Sequence, residues 1–380
     1  YPCLRQPFHN LIHNRMANRP DPFETRLVDH WYTGKKTLGA LERSGLWLLM
    51  VVYRMVLALR AAWFNLVAAP ARIPGVRTIA IGNLVAGGAG KTPCTLAVAV
   101  ALTGAGHRCA IVTRGYRSDA ERVPCRIALQ SDLPSCTAQT IGDEAWLLAW
   151  HTGLPVASGN DRRRCVETLR SRFPELDTVI LDDGLQQRDL ACDTTVLLVD
   201  GRGFGNGQCL PYGPLREPIG DLTRFTGLVR HGVAHDAALP GALPRLQSDL
   251  TYDDSYWVNL EDWRRALQSG TPLLPRVPTD TQQCLAVAGI AVPERFFDQC
   301  MAMGFSIEPL ALRDHDPQAV SKTQTAWQAG RYTAVLMTEK DAVKFLHHDA
   351  PLLSHAWALV RRPRLSTLFL SELCHGPKTS

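Results

Sequence analysis

The chain has 380 residues, of which 46% are hydrophobic and 20% charged, and its formal net charge is +5. This composition is typical of a globular protein with one large domain or two medium ones. Its 11 cysteines are scattered and include no C-x-x-C pair. This pattern argues against a disulfide framework and a structural zinc site, and it favours a reducing cytoplasm.

The basic excess is confined to the N-terminal part of the chain. Residues 1–77 contain 11 Lys or Arg against 4 Asp or Glu, so the remaining residues are slightly acidic. The first methionine is Met16, and we expect residues 1–30 to form an N-terminal extension that includes disordered residues. A basic, amphipathic helical segment is expected over residues 31–77.

That segment holds the most apolar run of the chain, Leu46–Ala69, which Arg54 and Arg60 interrupt. No uncharged run there approaches about 18 residues, so a membrane-spanning helix is not predicted. Arg43 and Arg54 lie near one line of a helix, and apolar residues cover most of the rest. The pattern predicts a helix that lies in a membrane interface among anionic headgroups. A helix packed on its own domain is the alternative.

The next elements are a strand, a glycine-rich loop and a helix. Thr78–Ile81 is a short apolar run that predicts a buried strand, and Thr92–Leu102 predicts the following helix. Between them lies GNLVAGGAGKTP, residues 82–93. Such loops bind phosphate through backbone N–H groups, a lysine and a hydroxyl that holds Mg²⁺. Val85 stands where the usual spacing has glycine, and a turn that binds nothing is the alternative. The residues expected to cradle phosphate are Gly87, Gly88, Ala89, Gly90, Lys91, Thr92 and Pro93.

Further strands and helices alternate downstream of this loop. The alternation predicts an α/β fold with a mostly parallel sheet and helices on both faces, as in P-loop NTPases. The predicted strands are Cys109–Thr113, Leu154–Ala157, Thr178–Leu181 and Thr195–Val199, and the predicted helices are Asp143–Trp150 and Asp161–Arg172. We therefore assign residues 78–227 to a P-loop core.

Residues 228–380 are expected to form a second, smaller α/β domain. Residues 235–282 have no clear period and are predicted to be a linker with irregular elements. The elements predicted after them are Cys284–Ala288, Pro293–Met303, Ala334–Met337 and Ala356–Val360.

Acidic residues follow or begin several of these elements. Asp182 and Asp183 end a strand, which is where Mg²⁺ is held opposite the hydroxyl of Thr92; a turn cap is the alternative. Asp143 and Glu144 begin a helix, where carboxylates are also favourable as N-terminal charges.

Other polar residues follow the remaining strands, where ligands of open α/β sheets gather. Arg114 and Tyr116 come after the second strand, where the arginine is able to neutralise phosphate charge; a surface turn is the alternative. A loop with four glycines at residues 200–207 follows another strand and is interpreted as a ligand-binding loop, with a long turn as the alternative. In the second block, His315 lies between Asp314 and Asp316. A histidine oriented by a carboxylate, or the carboxylate itself, can accept the proton of an acceptor hydroxyl in phosphoryl transfer.

Together these runs resemble the tetraacyldisaccharide 4′-kinases of Gram-negative bacteria. The resemblance rests on GNLVAGGAGKTP, TRGY, GDEA, LDDGLQQ, DGRGFGNG, GPLREP and RDHD in that order, with TEKDAVK behind them. It implies transfer of the γ-phosphate of ATP, with Mg²⁺, to the 4′-hydroxyl of a tetraacylated glucosamine disaccharide 1-phosphate. It also implies action at the cytoplasmic face of the inner membrane, where that lipid substrate lies.

The resemblance also implies a role for each matching residue. Asp143 corresponds to the proposed catalytic base, and His315 to the histidine that pairs with it across a domain cleft. Lys91 acts on the phosphates. The implied metal residues are Thr92, Asp182, Asp183 and Glu144. The substrate contacts expected here are Arg114, Tyr116, Gln186, Asn206 and Arg216. Gln187 replaces the usual histidine of that motif, so no role is carried to it.

Two other classes of P-loop protein are alternative functions, and each requires a motif of its own. A nucleotide switch, such as a metallochaperone-type GTPase, needs N/T-K-x-D, and Thr338–Asp341 has its lysine one place late. A deviant Walker A ATPase needs an additional lysine early in the loop, which is absent. The catalytic region lacks a basic patch interleaved with aromatic residues, so a nucleic-acid partner is not predicted. The sequence also gives no sign of an obligate protein partner.

Overall fold

The computed structural model describes residues 22–34, 37–67, 70–233, 239–279, 281–348 and 351–375. Residues 1–21, which make up most of the predicted extension, lie outside the described residues. Two β-sheets with flanking helices organise the described chain, one with eight strands and one with five. The predicted α/β class with mostly parallel strands is confirmed.

The eight-stranded sheet carries the glycine-rich loop. Its strand order is β3-β4-β2-β5-β1-β6-β7-β8, and all neighbours are parallel except β3 and β4. Its strands are β1 (Arg77–Gly82), β2 (Cys109–Thr113), β3 (Arg126–Ala128), β4 (Val156–Ser158), β5 (Thr178–Asp182), β6 (Thr194–Asp200), β7 (Gly227–His231) and β8 (Leu246–Asp249).

Helices cover both faces of this sheet because side chains of its buried strands alternate between two cores. In β1, Ile79 and Ile81 join the core under α3 and α5, whereas Ala80 joins the core under α6. The helices are α3 (Lys91–Gly104), α4 (Ala138–Ile141), α5 (Asp143–Thr152) and α6 (Arg162–Arg172). The predicted helices that follow the loop and begin at Asp143 are confirmed.

The five-stranded sheet has the order β11-β10-β12-β13-β9, with only β9 antiparallel to its neighbour. Its strands are β9 (Thr251–Asn259), β10 (Cys284–Ala288), β11 (Ile307–Ala311), β12 (Ala334–Thr338) and β13 (Ala356–Arg364). The helices are α7 (Leu260–Ser269), α8 (Glu294–Ala302), α9 (Ala319–Ala329), α10 (Glu339–Ala342) and α11 (Thr367–His375).

The prediction of an irregular linker over residues 235–282 is wrong. This stretch contains β8, β9 and α7, and β8 extends the first sheet beyond residue 227. In α7, Leu260, Trp263 and Leu267 are buried at helical spacing. Short apolar runs between polar residues concealed this periodicity, and tertiary contacts with the two sheets stabilise the elements.

The sheets are joined at several places, including an aromatic pair and the last helix. The ring of Trp146 on α5 lies 6.0 Å from that of Trp263 on α7, within one core that includes residues of both sheets. The last helix returns to the first sheet, since the guanidinium of Arg77 donates to the carbonyls of Leu373 and Cys374. These contacts fix the sheets on either side of a shared cavity.

Two helices precede the first sheet: α1 (Pro22–Tyr32), which begins within the predicted extension, and α2 (Ala40–Val67). Met50 of α2 is buried against the first sheet, and the Tyr53 hydroxyl donates to the carbonyl of Arg216 at 2.7 Å. The stretch Ala40–Phe64 has a mean hydropathy of 1.6, and only 6% of its most apolar window is buried. By length and composition this helix is able to cross a membrane, which the sequence analysis did not predict.

Candidate nucleotide and phosphoryl-transfer site

The glycine-rich loop, residues 83–90, connects β1 to α3 and so points its backbone at the N-terminus of a helix. Gly90 has a φ of 92°, which side-chain-bearing residues rarely adopt. A Cβ at this position would lie 2.5 Å from Nδ1 of His231. The same imidazole nitrogen lies 3.1 Å from the carbonyl oxygen of Ala89. Glycine is therefore required where the loop packs on β7.

Lys91 and Thr92 begin α3 beside the end of β5. Lys91 Nζ lies 3.3 Å from Oδ1 of Asn83 and 3.7 Å from Oδ2 of Asp183. The hydroxyl of Thr92 donates to Asp182 at 3.3 Å. This is the arrangement of a P-loop lysine and hydroxyl opposite the acidic end of a neighbouring strand.

Asp182 is a buried carboxylate without a cation in direct contact among the described residues. The hydroxyl of Thr95 donates to it at 2.9 Å. Burial and the nearby Glu144 carboxylate raise the pKa of Asp182 to about 7, although Lys91 opposes this change. A cation beside Asp182 would favour its ionised form.

Asp183 contacts two cations instead. Its φ is 57°, and its carboxylate accepts two hydrogen bonds from Arg216, at 2.9 and 2.8 Å. Burial raises the pKa of Asp183, but Lys91 and Arg216 outweigh it and hold that pKa below its ordinary value. Asp183 therefore pairs with both Lys91 and Arg216 in this structure, and its expected contact with a metal ion stays a prediction.

Asp143 lies at the first turn of α5 and is 4% exposed. Its Oδ1 accepts the backbone N–H of Glu144 at 2.9 Å, and its Oδ2 lies 3.0 Å from Nδ1 of His315. Burial raises the pKa of Asp143, but Lys340 and His315 lower it more strongly, to about 2. Asp143 is therefore ionised at neutral pH and able to accept a proton.

His315 approaches Asp143 from the loop after β11, with a φ of 55°. Its ring packs edge-on against Tyr116, with centroids 5.4 Å apart. Tyr116 is 45% exposed, and the guanidinium of Arg114 lies 5.9 Å from its ring centre while pairing with Glu121. Arg114 and Tyr116 thus border the Asp143–His315 pair.

Lys340 of α10 lies behind this pair. Its Nζ donates to Asp314 at 2.9 Å and to Glu144 at 3.1 Å, and it lies 3.1 Å from Nε2 of His315. Burial lowers the pKa of Lys340, but the carboxylates of Glu144, Asp143 and Asp314 raise it well above its ordinary value. The lysine is therefore a fixed positive charge among three acids.

The loop and the acids share one cavity of about 520 Å³ between the two sheets. Residues 88–93 line one side, and Glu144, Asp314 and Lys340 line another. A second ion pair borders the cavity, with Nε2 of His151 on α5 lying 2.7 Å from Oε1 of Glu339 on α10. The cavity is large enough for a bound small molecule.

Two of the predicted substrate residues, Asn206 and Gln186, hydrogen-bond to backbone groups of neighbouring loops or of their own loop. Both polar atoms of the Asn206 side chain bond within their own loop, to Tyr212 and Gln208. Gln186 donates to the carbonyl of Asn83 and thereby braces the start of the glycine-rich loop. Neither residue lines the cavity.

The glycine-rich segment at residues 200–207 supports the phosphate loop. Arg202 pairs with Asp200 at 2.6 Å and donates to the carbonyl of Gly88 at 2.9 Å. The sequence analysis interpreted this segment as a ligand-binding loop and did not predict the contact.

Lys340 was also missed. Its motif, TEKDAVK, contributes to the family resemblance and was compared with a guanine-recognition motif, but no role was predicted for Lys340. The signal available in the sequence was a lysine two residues after the apolar strand that ends at Thr338.

The strand–loop–helix unit, with Lys91 and Thr92 opposite Asp182, defines a protein of the P-loop class. The family model described as Tetraacyldisaccharide-1-P 4′-kinase matches residues 43–374. The tetraacyldisaccharide 4′-kinase of Leptothrix cholodnii is 36% identical over 363 residues, which cover 94% of this chain and 97% of that protein. That of Herminiimonas arsenicoxydans is 35% identical over 81% of this chain and 85% of its own length. The chain therefore belongs to the tetraacyldisaccharide 4′-kinase family.

A solved structure supports the fold. The Aquifex aeolicus LpxK crystal structure, in complex with ATP, matches with a TM-score of 0.68 at 21% identity, over 88% of this chain and 97% of that one. At this identity the match concerns the fold alone.

Proposed function

We propose that the protein transfers the γ-phosphoryl group of ATP to the 4′-hydroxyl of a tetraacylated glucosamine disaccharide 1-phosphate, a step of lipid A biosynthesis. The observation that carries this proposal is the position of the Asp143–His315 pair. Residues adjoining the pair line the same cavity as the P-loop residues Lys91 and Thr92. A proton acceptor therefore lies next to the place where a γ-phosphate would be held.

The nucleotide triphosphate is bound by the loop over Gly87, Gly88, Ala89, Gly90 and Pro93, with Lys91 and Thr92. Backbone N–H groups at the N-terminus of α3 supply hydrogen bonds and a positive dipole. The Nζ of Lys91 lies 3.7 Å from the Asp183 carboxylate. This long contact is weak, so the ammonium group is able to leave it and bind a phosphate oxygen instead. Arg216 continues to neutralise Asp183 when Lys91 turns to the nucleotide.

The residues around Thr92 fit Mg²⁺. Thr92 and Asp182 supply hard oxygen ligands. Burial raises the pKa of Asp182, and a bound cation would lower that pKa by stabilising the carboxylate. The described residues contain no group of three or more His, Cys, Asp or Glu that forms a metal site alone. This suits Mg²⁺, which is usually held by one or two carboxylates together with substrate phosphates. When bound, the ion neutralises charge on those phosphates.

Glu144 and Asp183 are proposed to act at longer range on the same ion. Glu144 is ion-paired with Lys340 and contributes negative charge near Asp182. Asp183 is ion-paired with Arg216. Thr92 and Asp182 are therefore the ligands that the geometry favours.

The reaction forms a bond between the 4′-oxygen and the γ-phosphorus and breaks the bond to the oxygen that leaves with ADP. The hydroxyl proton passes to Asp143. An acid with a pKa of about 2 is a weak base, but the acceptor oxygen becomes acidic as its bond to phosphorus forms. In a loose transition state the proton leaves late, so a weak but well-positioned base is sufficient.

The acceptor lipid is proposed to be reached at the cytoplasmic face of the inner membrane. Apolar side chains of α2 are exposed over most of its length, as in Met55 at 60%, Leu59 at 69% and Trp63 at 60%. The buried side of the helix at Met50 packs near Leu215, next to Arg216. A helix held in the bilayer would thus bring the membrane surface to the site, where Arg114 and Tyr116 are placed to contact the sugar.

One assay tests the function. The purified full chain is incubated with ATP, Mg²⁺ and the detergent-solubilised disaccharide 1-phosphate, and the lipid is examined by mass spectrometry and phosphorus NMR. We expect one added phosphate at the 4′ position. Release of phosphate to water without a phosphorylated lipid would contradict the proposal and favour a nucleotide switch. Nucleotide hydrolysis that requires GTP in place of ATP would do the same.

A further inference from the structure

Lys340 is surrounded by three hydrogen-bond acceptors. Its Nζ lies 2.9 Å from Asp314 Oδ1, 3.1 Å from Glu144 Oε1 and 3.1 Å from His315 Nε2. An ammonium group has three N–H bonds and no acceptor. The three contacts therefore use its whole capacity, and its side chain is only 18% exposed.

This contact determines the protonation pattern of the His315 ring. The ammonium group lies 3.1 Å from Nε2 of His315, closer than the Asp314 carboxylate oxygen at 3.6 Å, and because it only donates, Nε2 accepts with its lone pair. The single proton of the neutral ring is then on Nδ1, which faces Asp143 Oδ2 at 3.0 Å. In the Nε2–H tautomer, the N–H of the ring would face an N–H of Lys340. The unprotonated Nδ1 would then face the carboxylate oxygen of Asp143, so two lone pairs would repel each other.

We propose that Lys340 is a positioning residue for phosphoryl transfer, which holds His315 in the Nδ1–H tautomer and so keeps its ring directed at Asp143. The inference rests on the proposed function, because it assigns Asp143 as the base. His315 in turn occupies one lone pair of Asp143 Oδ2, and the N–H of Glu144 occupies Oδ1. These two contacts fix the orientation of the Asp143 carboxylate, so that its remaining lone pairs are able to accept the proton of the acceptor hydroxyl.

The same lysine links the two sheets. Glu144 lies on α5, next to the first sheet, whereas Asp314 and His315 follow β11 of the second sheet. The backbone of His315 has a φ of 55°, which a non-glycine residue seldom adopts without stabilising contacts. Contacts from Lys340 to both Asp314 and His315 supply such stabilisation at the point where the histidine contacts Asp143 of α5.

The tautomer can be measured directly. Histidine ring ¹⁵N labels and two-bond ¹H–¹⁵N correlation spectra distinguish Nδ1–H from Nε2–H, and His315→Gln assigns the signal. We expect the Nδ1–H form in the unaltered protein and loss of that form in Lys340→Met. An Nε2–H ring in the unaltered protein overturns the proposal, even if the variant does not fold.

Kinetics on the same variants separate positioning from mere charge compensation. A misplaced reacting group can cost about 10²-fold in rate, so we expect Lys340→Met to lower kcat by that order with little change in KM for ATP. Lys340→Arg, which still donates to Nε2, should recover part of the rate and the Nδ1–H signal. Lys322→Met removes another ion pair of this sheet, with Asp316, and should leave kcat and the His315 signal unchanged.

The outcomes distinguish this inference from the proposed function. Full kinase activity and an unchanged tautomer in Lys340→Met would overturn the role of Lys340 alone. A low kcat with the Nδ1–H form retained would assign the lysine a purely structural role and overturn the proposal too. Absence of lipid phosphorylation by the unaltered protein, with ATP bound, would instead overturn the proposed function.

Discussion

Nδ1 of His315 lies 3.0 Å from Oδ2 of Asp143, and this contact connects the loop after β11 to the N-terminus of α5. The two residues are 172 positions apart in the sequence. Their pairing therefore depends on how the two sheets pack, through Trp146 and Trp263 among others. Changes that separate the sheets should remove this pair before they affect the phosphate loop.

Substitution of Asp143 by asparagine should impair the chemical step. The amide keeps the shape of the carboxylate but cannot accept the hydroxyl proton, so we expect kcat to fall by about 10²- to 10⁴-fold. The KM for ATP should change little, because Asp143 does not line the phosphate loop. Steady-state kinetics with the lipid acceptor measures both quantities.

A matched control for that variant is Asp161→Asn. Asp161 caps α6 by accepting the backbone N–H of Arg164 at 2.9 Å, and asparagine caps helices equally well. Its kinetics should match those of the unaltered protein. Near-normal turnover in Asp143→Asn would remove Asp143 from the role of base.

Lys91→Met should act on nucleotide binding. The variant removes the ammonium that is expected to reach the phosphates, while Arg216 still neutralises Asp183. We expect the Kd for an ATP analogue with Mg²⁺, measured by calorimetry, to rise at least about tenfold, which is the effect of about 1.4 kcal/mol. An unchanged Kd would mean that the triphosphate lies elsewhere.

The exposed side of α2 should bind membranes. The double variant Met55→Glu, Leu59→Glu places two carboxylates on side chains that are 60% and 69% exposed, so the fold should be retained. We expect it to lose flotation with vesicles containing anionic lipids. Leu274→Glu, Val277→Glu changes two equally exposed apolar residues away from α2 and should float normally; equal flotation of both double variants would assign membrane binding to another surface.

The pair between His151 and Glu339 should make stability depend on pH. Burial lowers the pKa of His151, but Glu339 raises it more, so its native pKa exceeds the ordinary value. The native state then holds the proton more tightly than the unfolded chain. The resulting stabilisation is complete below about pH 6.5 and is lost as the pH rises through the higher native pKa.

Thermal unfolding between about pH 6 and pH 9 measures this loss. We expect His151→Gln and Glu339→Gln each to flatten the fall in Tm. His355→Gln should preserve it, because His355 is an exposed histidine whose ring lies tilted against that of Trp327. The same slope in all four proteins would assign the pH dependence to other groups.

Several strands of both sheets could be predicted from the sequence because they are fully buried. Continuous apolar runs such as Cys109–Thr113 and Cys284–Ala288 have the bounds that the structure gives them. The loop at Gly87–Thr92 was recognisable for a different reason, since phosphate binding constrains residue type and spacing locally. Both signals are contained within a few consecutive residues.

Other features depend on partners far along the chain. The first six residues of β9 are exposed or half-buried and only its last three are buried, so a local pattern did not identify the strand; its pairing with β13 completes the second sheet. The contacts of Lys340 with Glu144 and His315 join three separate segments. Asn206 has the residue type of a ligand-binding side chain, but its own loop uses both polar atoms.

The central claim is that a γ-phosphate held by Lys91 faces Asp143 across the shared cavity. A crystal structure of the full chain with Mg²⁺ and a non-hydrolysable ATP analogue tests it most directly. We predict the γ-phosphate within hydrogen-bonding distance of Lys91 Nζ, with its open face toward Asp143 and His315. A nucleotide bound outside residues 87–93, or a γ-phosphate turned away from Asp143, would contradict it.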